Sequence, residues 1–126
     1  MDVQQAGPTY CGPENWFTGE VWIVPIVARS APHSLSLSKV HFAPGARTAW
    51  HSHKIGQTLY ITEGQGRVQS RGEAIRHVSS GDVVHTAADE WHWHGAAPEH
   101  FMTHLSLTEG ETQWGEFVDD TNGEVG

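Results

Sequence analysis

No segment of this 126-residue chain sustains apolar residues at the i, i+3, i+4, i+7 spacing of an amphipathic helix over three turns. Short stretches alternate apolar and polar side chains instead, and glycine or proline cuts them repeatedly. That pattern predicts strands at Gly19–Ala28, Leu35–Phe42, Thr48–His53, Thr58–Glu63, Gly66–Ser70, Ala74–His77, Asp82–Thr86, Trp91–His94 and Phe101–Thr108. Ala43-Pro44-Gly45, Gly64-Gln65-Gly66, Arg71-Gly72-Glu73, Ser79-Ser80-Gly81 and the stretch Gly95 to Glu99 read as turns or loops between them. Many short strands without helical interludes predict an all-β sandwich or barrel. Residues 1–34 read as an N-terminal arm and edge strand, 35–108 as the barrel core, and 109–126 as an acidic tail with one short helix around Trp114–Val118.

The length allows one hydrophobic core and is too short for two. With glycine added to the apolar residues, about half the chain is apolar, which excludes intrinsic disorder. A net charge of −8 without clustered Lys/Arg argues against nucleic acid or anionic membrane as a partner. The longest apolar run, Val21 to Ala28, is too short to span a bilayer and contains Pro25. No apolar stretch near the start reads as a secretory signal, so a cytoplasmic protein is expected. Cys11 is the only cysteine, so any metal is held by nitrogen and oxygen.

Ten histidines are the unusual count, and nine lie between His41 and His104. His51 and His53 flank one residue on an expected strand, so the period of two puts both imidazoles on one face. Gln57 follows with the same parity and offers an amide oxygen. His92 lies on another expected strand, which a closed sheet could bring opposite. Val40 and Phe42 give their strand an apolar inner parity that turns Lys39 and His41 outward. In Met102 to Thr108 the even positions form a polar stripe; if they face the cavity, His104 and Thr108 line it. His33, His41, His77, His85 and His100 have no such register. Trp50, Trp91 and Trp93 read as packing or interface aromatics.

The spacing Gly45-x5-His51-x-His53-x3-Gln57-x6-Gly64 resembles the first motif of the cupin superfamily, and Gly81 with His92 is similar to the second. The resembling segment runs from about Leu35 to Leu107. Within the superfamily, the stretches GARTAWHSH, GQTLYITEG, GDVV, HWHGA and MTHLSL look like those of manganese-dependent cupin hydroxynitrile lyases. Gln57 stands where most cupins have Glu, although the hydroxynitrile lyase group also has Gln. Ala87-Ala88-Asp89 replaces the usual Pro-x-Gly turn, and Ala96 the usual Asn.

The resemblance implies a double-stranded β-helix, or jelly-roll barrel, with a divalent ion on His51, His53, Gln57 and His92. Nitrogen and oxygen donors suit Mn, Fe, Ni, Co or Zn, and the resemblance favours manganese. It also implies that His94 and His104 act as acid–base groups and that Thr48 bonds the substrate. Ser38, Val40, Phe42 and Thr108 would line the substrate pocket, with Ser38 and Thr108 standing where Ala and Gln are common. Four neutral ligands leave the ion close to its full double charge, which favours Lewis-acid chemistry over oxygen activation. The expected activity is therefore a lyase acting on a small 2-hydroxynitrile or related α-hydroxy compound. Another metal-dependent cupin enzyme (a dioxygenase, isomerase or sugar-acid converting protein) and a non-catalytic cupin that binds metal or a small ligand are the alternatives. Barrel edges covered by a second chain predict a homodimer through the arm, with Trp16 and Trp22 at the interface.

Overall fold

The computed structural model describes residues 1–28, 30 and 33–119. In chain order its strands are β1 (Tyr10–Cys11), β2 (Phe17–Thr18), β3 (Val21–Val27), β4 (Leu35–Phe42), β5 (Arg47–Thr48) and β6 (His51–His53). They continue with β7 (Gly56–Ser70), β8 (Arg76–Ser79), β9 (Val83–Thr86), β10 (His92–Ala96), β11 (Met102–Glu109) and β12 (Thr112–Trp114). Among the described residues there is no helix. All pairings are antiparallel, and the network curls into an all-β barrel.

The curl depends on β7, which serves both faces of the barrel. Its first half pairs with β11 and β9, and its second half with β10 and β8. From β11 the first face continues through β4 and β3 to β1. The second continues from β10 to β5, β2 and β6, and β12 closes the outer side of β6. Gly64-Gln65-Gly66 is therefore not the chain-reversing turn its composition suggests. It is a corner within one long strand, where Gly64 takes φ 83° and Gln65 bonds Phe101 O and Ala97 N. Glycine permits the left-handed conformation and the close approach of the neighbouring backbone.

Strand β4 spans Leu35–Phe42, the range expected from alternation. The expected strand Thr48–His53 divides instead into β5 and β6, with Ala49 and Trp50 turning between them. No helix forms around Trp114–Val118: Thr112–Trp114 is strand β12 and residues 115–118 run on without helical structure. The backbone explanation is direct, because Gly115 N donates to Trp50 O and Trp50 N to Glu116 O, so neighbouring strands and not a helix satisfy these groups. Residues 120–126 of the expected tail, and Arg29, Ala31 and Pro32 of the expected arm, lie outside the described residues.

Two apolar clusters stiffen this frame. Val21, Ile23, Val40, Phe42, Ala46, Ile61, Ala96 and Met102 plug the barrel interior, with Phe17 packed against them. On the far side of β10, Trp93 packs with Trp50 and Val118, and Trp91 lies against that group. Arg71 sits over the rings of both Trp50 and Trp91 and pairs with Glu116, tying the chain after β12 to the wall.

A Cβ at Gly64 would overlap the Phe101 carbonyl, whereas one at Gly72 would meet open space although its φ is 86°. Both substitutions by alanine incur the left-handed strain, and only Gly64→Ala adds a backbone collision. Gly64→Ala is expected to cost about 2 kcal/mol more than Gly72→Ala. Paired denaturant titrations measure the difference, and equal midpoints would contradict the corner's role.

Candidate metal centre

His51 and His92 are cross-strand partners on β6 and β10, which places their rings 4.3 Å apart between centroids. His53 lies one inward position further along β6, its ring 4.9 Å from His51 and 5.3 Å from His92. One nitrogen from each of the three lies within 4.8 Å of the others, and all three residues are buried. Among the described residues this is the histidine or carboxylate group with the geometry of a metal site.

The outer nitrogens are occupied. His51 Nδ1 lies 2.9 Å from Ala49 O and His92 Nδ1 lies 2.9 Å from Glu90 O. A carbonyl only accepts, so both Nδ1 atoms carry the hydrogen and both Nε2 atoms present a lone pair inward. His53 Nδ1 lies 2.9 Å from Thr112 Oγ1, and its Nε2 is buried without a partner. Gln57 points its amide nitrogen at Ser106 Oγ (2.9 Å) and Thr108 Oγ1 (3.0 Å), which turns Oε1 to within 3.0 Å of His92 Nε2. Two lone-pair atoms then face each other across a hydrogen-bond distance. A shared cation relieves that repulsion, so the four side chains fit a divalent ion with nitrogen and oxygen preference.

Burial is the main cause that lowers the basicity of these rings. It holds His51 well below the ordinary imidazole value, aided by neighbouring His92, and brings His53 down to about 4. His92 is lowered for the same reason. Neutral imidazoles are the form that binds metal.

His94 stands next on the inner face of β10, and His104 Nε2 lies 3.1 Å from its Nδ1. Both are fully enclosed, and the remaining ring nitrogens, His94 Nε2 and His104 Nδ1, have no partner. Thr48 Oγ1 accepts the backbone N–H of His94 at 3.2 Å. A cavity of about 600 Å³ brings these groups together with His51, His53 and Gln57. Ser38, Val40 and Thr108, pocket residues implied by the resemblance, line it. Phe42 does not: it lies under the histidine pair, its ring 5.3 Å from His104 and 6.0 Å from His94, and belongs to the apolar plug. His92 turns its other side to a smaller hollow of about 150 Å³ with Ser70, Thr86 and Glu90.

Other lining residues were not anticipated. Tyr10, Trp16 and Phe17 come from the N-terminal arm, and Thr112 and Trp114 from the expected tail. Trp114 is stacked on Trp16, with centroids 5.0 Å apart, and lies 4.7 Å from His51. Ser36 and Ser106 also line the cavity; they share parity with Ser38 and Thr108, so alternation alone could have found them. The remaining histidines stand away from it. His41 lies on the outer face against Thr103 Oγ1 (2.6 Å), His85 faces Thr58 Oγ1 (3.0 Å), and His33, His77 and His100 are exposed.

Burial also brings His104 down to about 4 from 6.5. Between those values the unfolded chain binds more protons than the folded one, so stability falls as pH drops through the window. His104→Phe keeps a ring of similar size and removes this titration. Metal-free His104→Phe protein is expected to lose less melting temperature than wild type between pH 7 and pH 4.5, as followed by circular dichroism; a parallel decline would contradict the assignment.

Comparison with known proteins agrees with this architecture. Residues 38–104, more than half of the chain, match the Cupin domain family. An (R)-mandelonitrile lyase from Granulicella tundricola is 43% identical, over 95% of this chain and 96% of its own length. The crystal structure of a cupin-like protein from Thermotoga maritima superposes with a TM-score of 0.87 at 35% identity, covering 97% of this chain and 94% of that one. The polyketide cyclase RemF from Streptomyces resistomycificus, at 15% identity, shares the fold with a TM-score of 0.74 over 94% of this chain and 86% of its own. With its domain match, its inward-facing histidines and a relative aligned along nearly its whole length, the chain belongs to the cupin superfamily as a small single-domain member.

Proposed function

We propose that this cupin is a metal-dependent lyase that cleaves a small 2-hydroxynitrile, or a related α-hydroxy compound. The observation that carries the reading is one cavity lined both by His51, His53 and Gln57 and by the bonded pair His94–His104, with the His94 ring 5.1 Å from that of His51. The relative named (R)-mandelonitrile lyase supports the same class of reaction. His51, His53, His92 and Gln57 would hold the ion. Manganese is the metal proposed, and Fe, Ni, Co and Zn share the donor preference. Bound there, a divalent ion acts as a Lewis acid and makes a substrate hydroxyl easier to deprotonate.

The chain's own groups supply the rest. The backbone of His94 already bonds Thr48 Oγ1, so the Thr48 hydroxyl hydrogen is available to the substrate. His94 accepts the hydroxyl proton at Nε2, and its Nδ1–H then points at His104 Nε2, which stabilises the charged ring. The electron pair of the broken O–H bond forms the carbonyl, the C–C bond to the nitrile breaks, and cyanide leaves with that bond's electrons. Cyanide then takes the proton back from the histidine pair and departs as hydrogen cyanide beside the aldehyde. Burial makes this pair weakly basic, so abstraction depends on a hydroxyl already acidified. The open, histidine-lined cavity disfavours a purely metal-storing cupin, in which apolar side chains would seal the site.

His92→Ala is expected to lose both metal and cleavage of mandelonitrile. His94→Ala and His104→Ala should keep the metal while cleavage falls by about 10²–10⁴-fold. Metal analysis beside benzaldehyde release separates the two. Absence of benzaldehyde from manganese-loaded wild type sinks the lyase reading, and oxygen uptake by an iron-loaded sample would point to a dioxygenase.

The proposal extends to assembly. Trp16 stacks on Trp114 in the cavity wall and stays 37% exposed, beside 36% for Trp22. Trp22, Leu35, Tyr60 and Val83 are exposed on the outer side of the face formed by β3, β4, β7 and β9. A homodimer that covers the arm with Trp16 and Trp22 together with that face is proposed. Size-exclusion chromatography with light scattering should give twice the 13.9 kDa chain mass, and Trp22→Glu should halve it; a monomeric wild type removes the proposal.

A further inference from the structure

The three imidazoles of the metal centre are not oriented in the same way. Main-chain carbonyls of Ala49 and Glu90 hold His51 and His92, and these contacts do not depend on a neighbouring side chain. His53 is held by a hydroxyl, Thr112 Oγ1 at 2.9 Å, which comes from the stretch whose acidic composition reads as a solvated tail. We infer that Thr112 is a positioning residue: its hydroxyl accepts the Nδ1–H of His53 and so fixes the tautomer and ring rotation that leave Nε2 free for the metal ion. The inference rests on the reading that His51, His53, His92 and Gln57 form that site.

Register puts the hydroxyl there. In the pairing of β12 with β6, Thr112 lies opposite His53 and Trp114 opposite His51. Both ends of the pairing are tied to main chain, by Lys54 N to Glu111 O at 2.9 Å and Gly115 N to Trp50 O at 2.8 Å. The segment is therefore a splint along the strand that carries two of the metal-binding rings. A neutral imidazole without a partner at Nδ1 exchanges between two tautomers, and one of them points an N–H at the ion. His53 Nε2 is buried, and the Gln57 side chain beside the ring favours its protonated form, so Gln57 does not select the tautomer that leaves Nε2 free. Threonine suits the task because its branched Cβ restricts the rotation that would swing the hydroxyl away. The residue belongs to neither apolar cluster. Valine matches its shape and favours a strand, so replacing it tests the hydroxyl with little demand on the fold.

The experiment titrates Mn(II) into metal-free protein and follows free aqueous Mn(II) by electron paramagnetic resonance, which reads binding without reference to turnover. Wild type, Thr112→Val, Thr112→Ser and His53→Ala are compared, with metal-free melting temperatures measured alongside. Thr112→Val is expected to bind about 10–100-fold more weakly at an unchanged metal-free melting temperature, and Thr112→Ser to recover most of the affinity. Wild-type affinity in Thr112→Val overturns the inference, and so does an equal loss in the valine and serine variants. Should Thr112→Val not fold, Thr112→Ala removes the same hydroxyl and is read by the same criteria. If wild type and His53→Ala bind alike, the metal-site reading itself fails; if His53→Ala abolishes binding that Thr112→Val leaves intact, only the role of Thr112 does.

Discussion

The fifteen-residue strand from Gly56 to Ser70 gives its first half to one face of the barrel and its second half to the other, and the cavity exists because of that bend. Gln57 and Leu59 pair with Thr108 and Ser106 before the corner, while Val68 and Ser70 pair with His94 and His92 after it. The corner shifts the alternation by one residue, from odd inward positions at Gln57–Ile61 to even ones at Val68 and Ser70, so the hydroxyl stripe of β11 and the imidazoles of β10 face the same interior. A reversing turn at Gly64 would have left these two sets of side chains without a common space.

Within that space burial outweighs charge: neighbouring imidazoles add to its effect at His51 and His94, while Glu90 opposes it at His92. Five imidazoles lie close together, and burial lowers the basicity of each. A carboxylate at position 57 would have drawn protons or cancelled part of an ion's charge; the amide does neither. The centre is thereby built from neutral donors, two of them fixed by main-chain carbonyls that side-chain substitution leaves in place. This division explains why the arrangement tolerates Ala87-Ala88-Asp89 at the hairpin before β10. Asp89 takes φ 61°, a conformation glycine usually supplies, and its N–H still bonds His53 O at 2.8 Å.

Much of this was legible in the residues. Period two placed His51 with His53, the spacing to His92 and the parity of Gln57 completed the set of four, the polar stripe of β11 pointed to Thr108, and the family resemblance supplied Ser38 and Val40. Phe42 shows where parity stops: it points inward as read, but it sits beneath the histidine pair and not at the cavity surface. The failures share a cause. Tyr10, Thr112 and Trp114 lie on two- or three-residue strands and Trp16 in the turn before β2, all too short for alternation to register, and their places come from pairing with distant segments. Local composition made one segment look like an irregular arm and the other like a soluble tail.

Those two segments meet. Trp16, near the start of the chain, lies flat against Trp114, near its end, and together they form one wall of the cavity mouth. β1, β2 and β12 hold this wall with few ladder bonds, while the interior behind it is anchored by the long pairings of β4, β7 and β11. The wall and two of the imidazoles thus rest on short strands, β12 and β6, that pair with each other, while Gln57 and His104 rest on long ones. Because β12 also sets Thr112 beside His53 and Trp114 beside His51, one segment shapes both the rim of the cavity and the rings behind it, so a change at the rim is felt at the imidazoles.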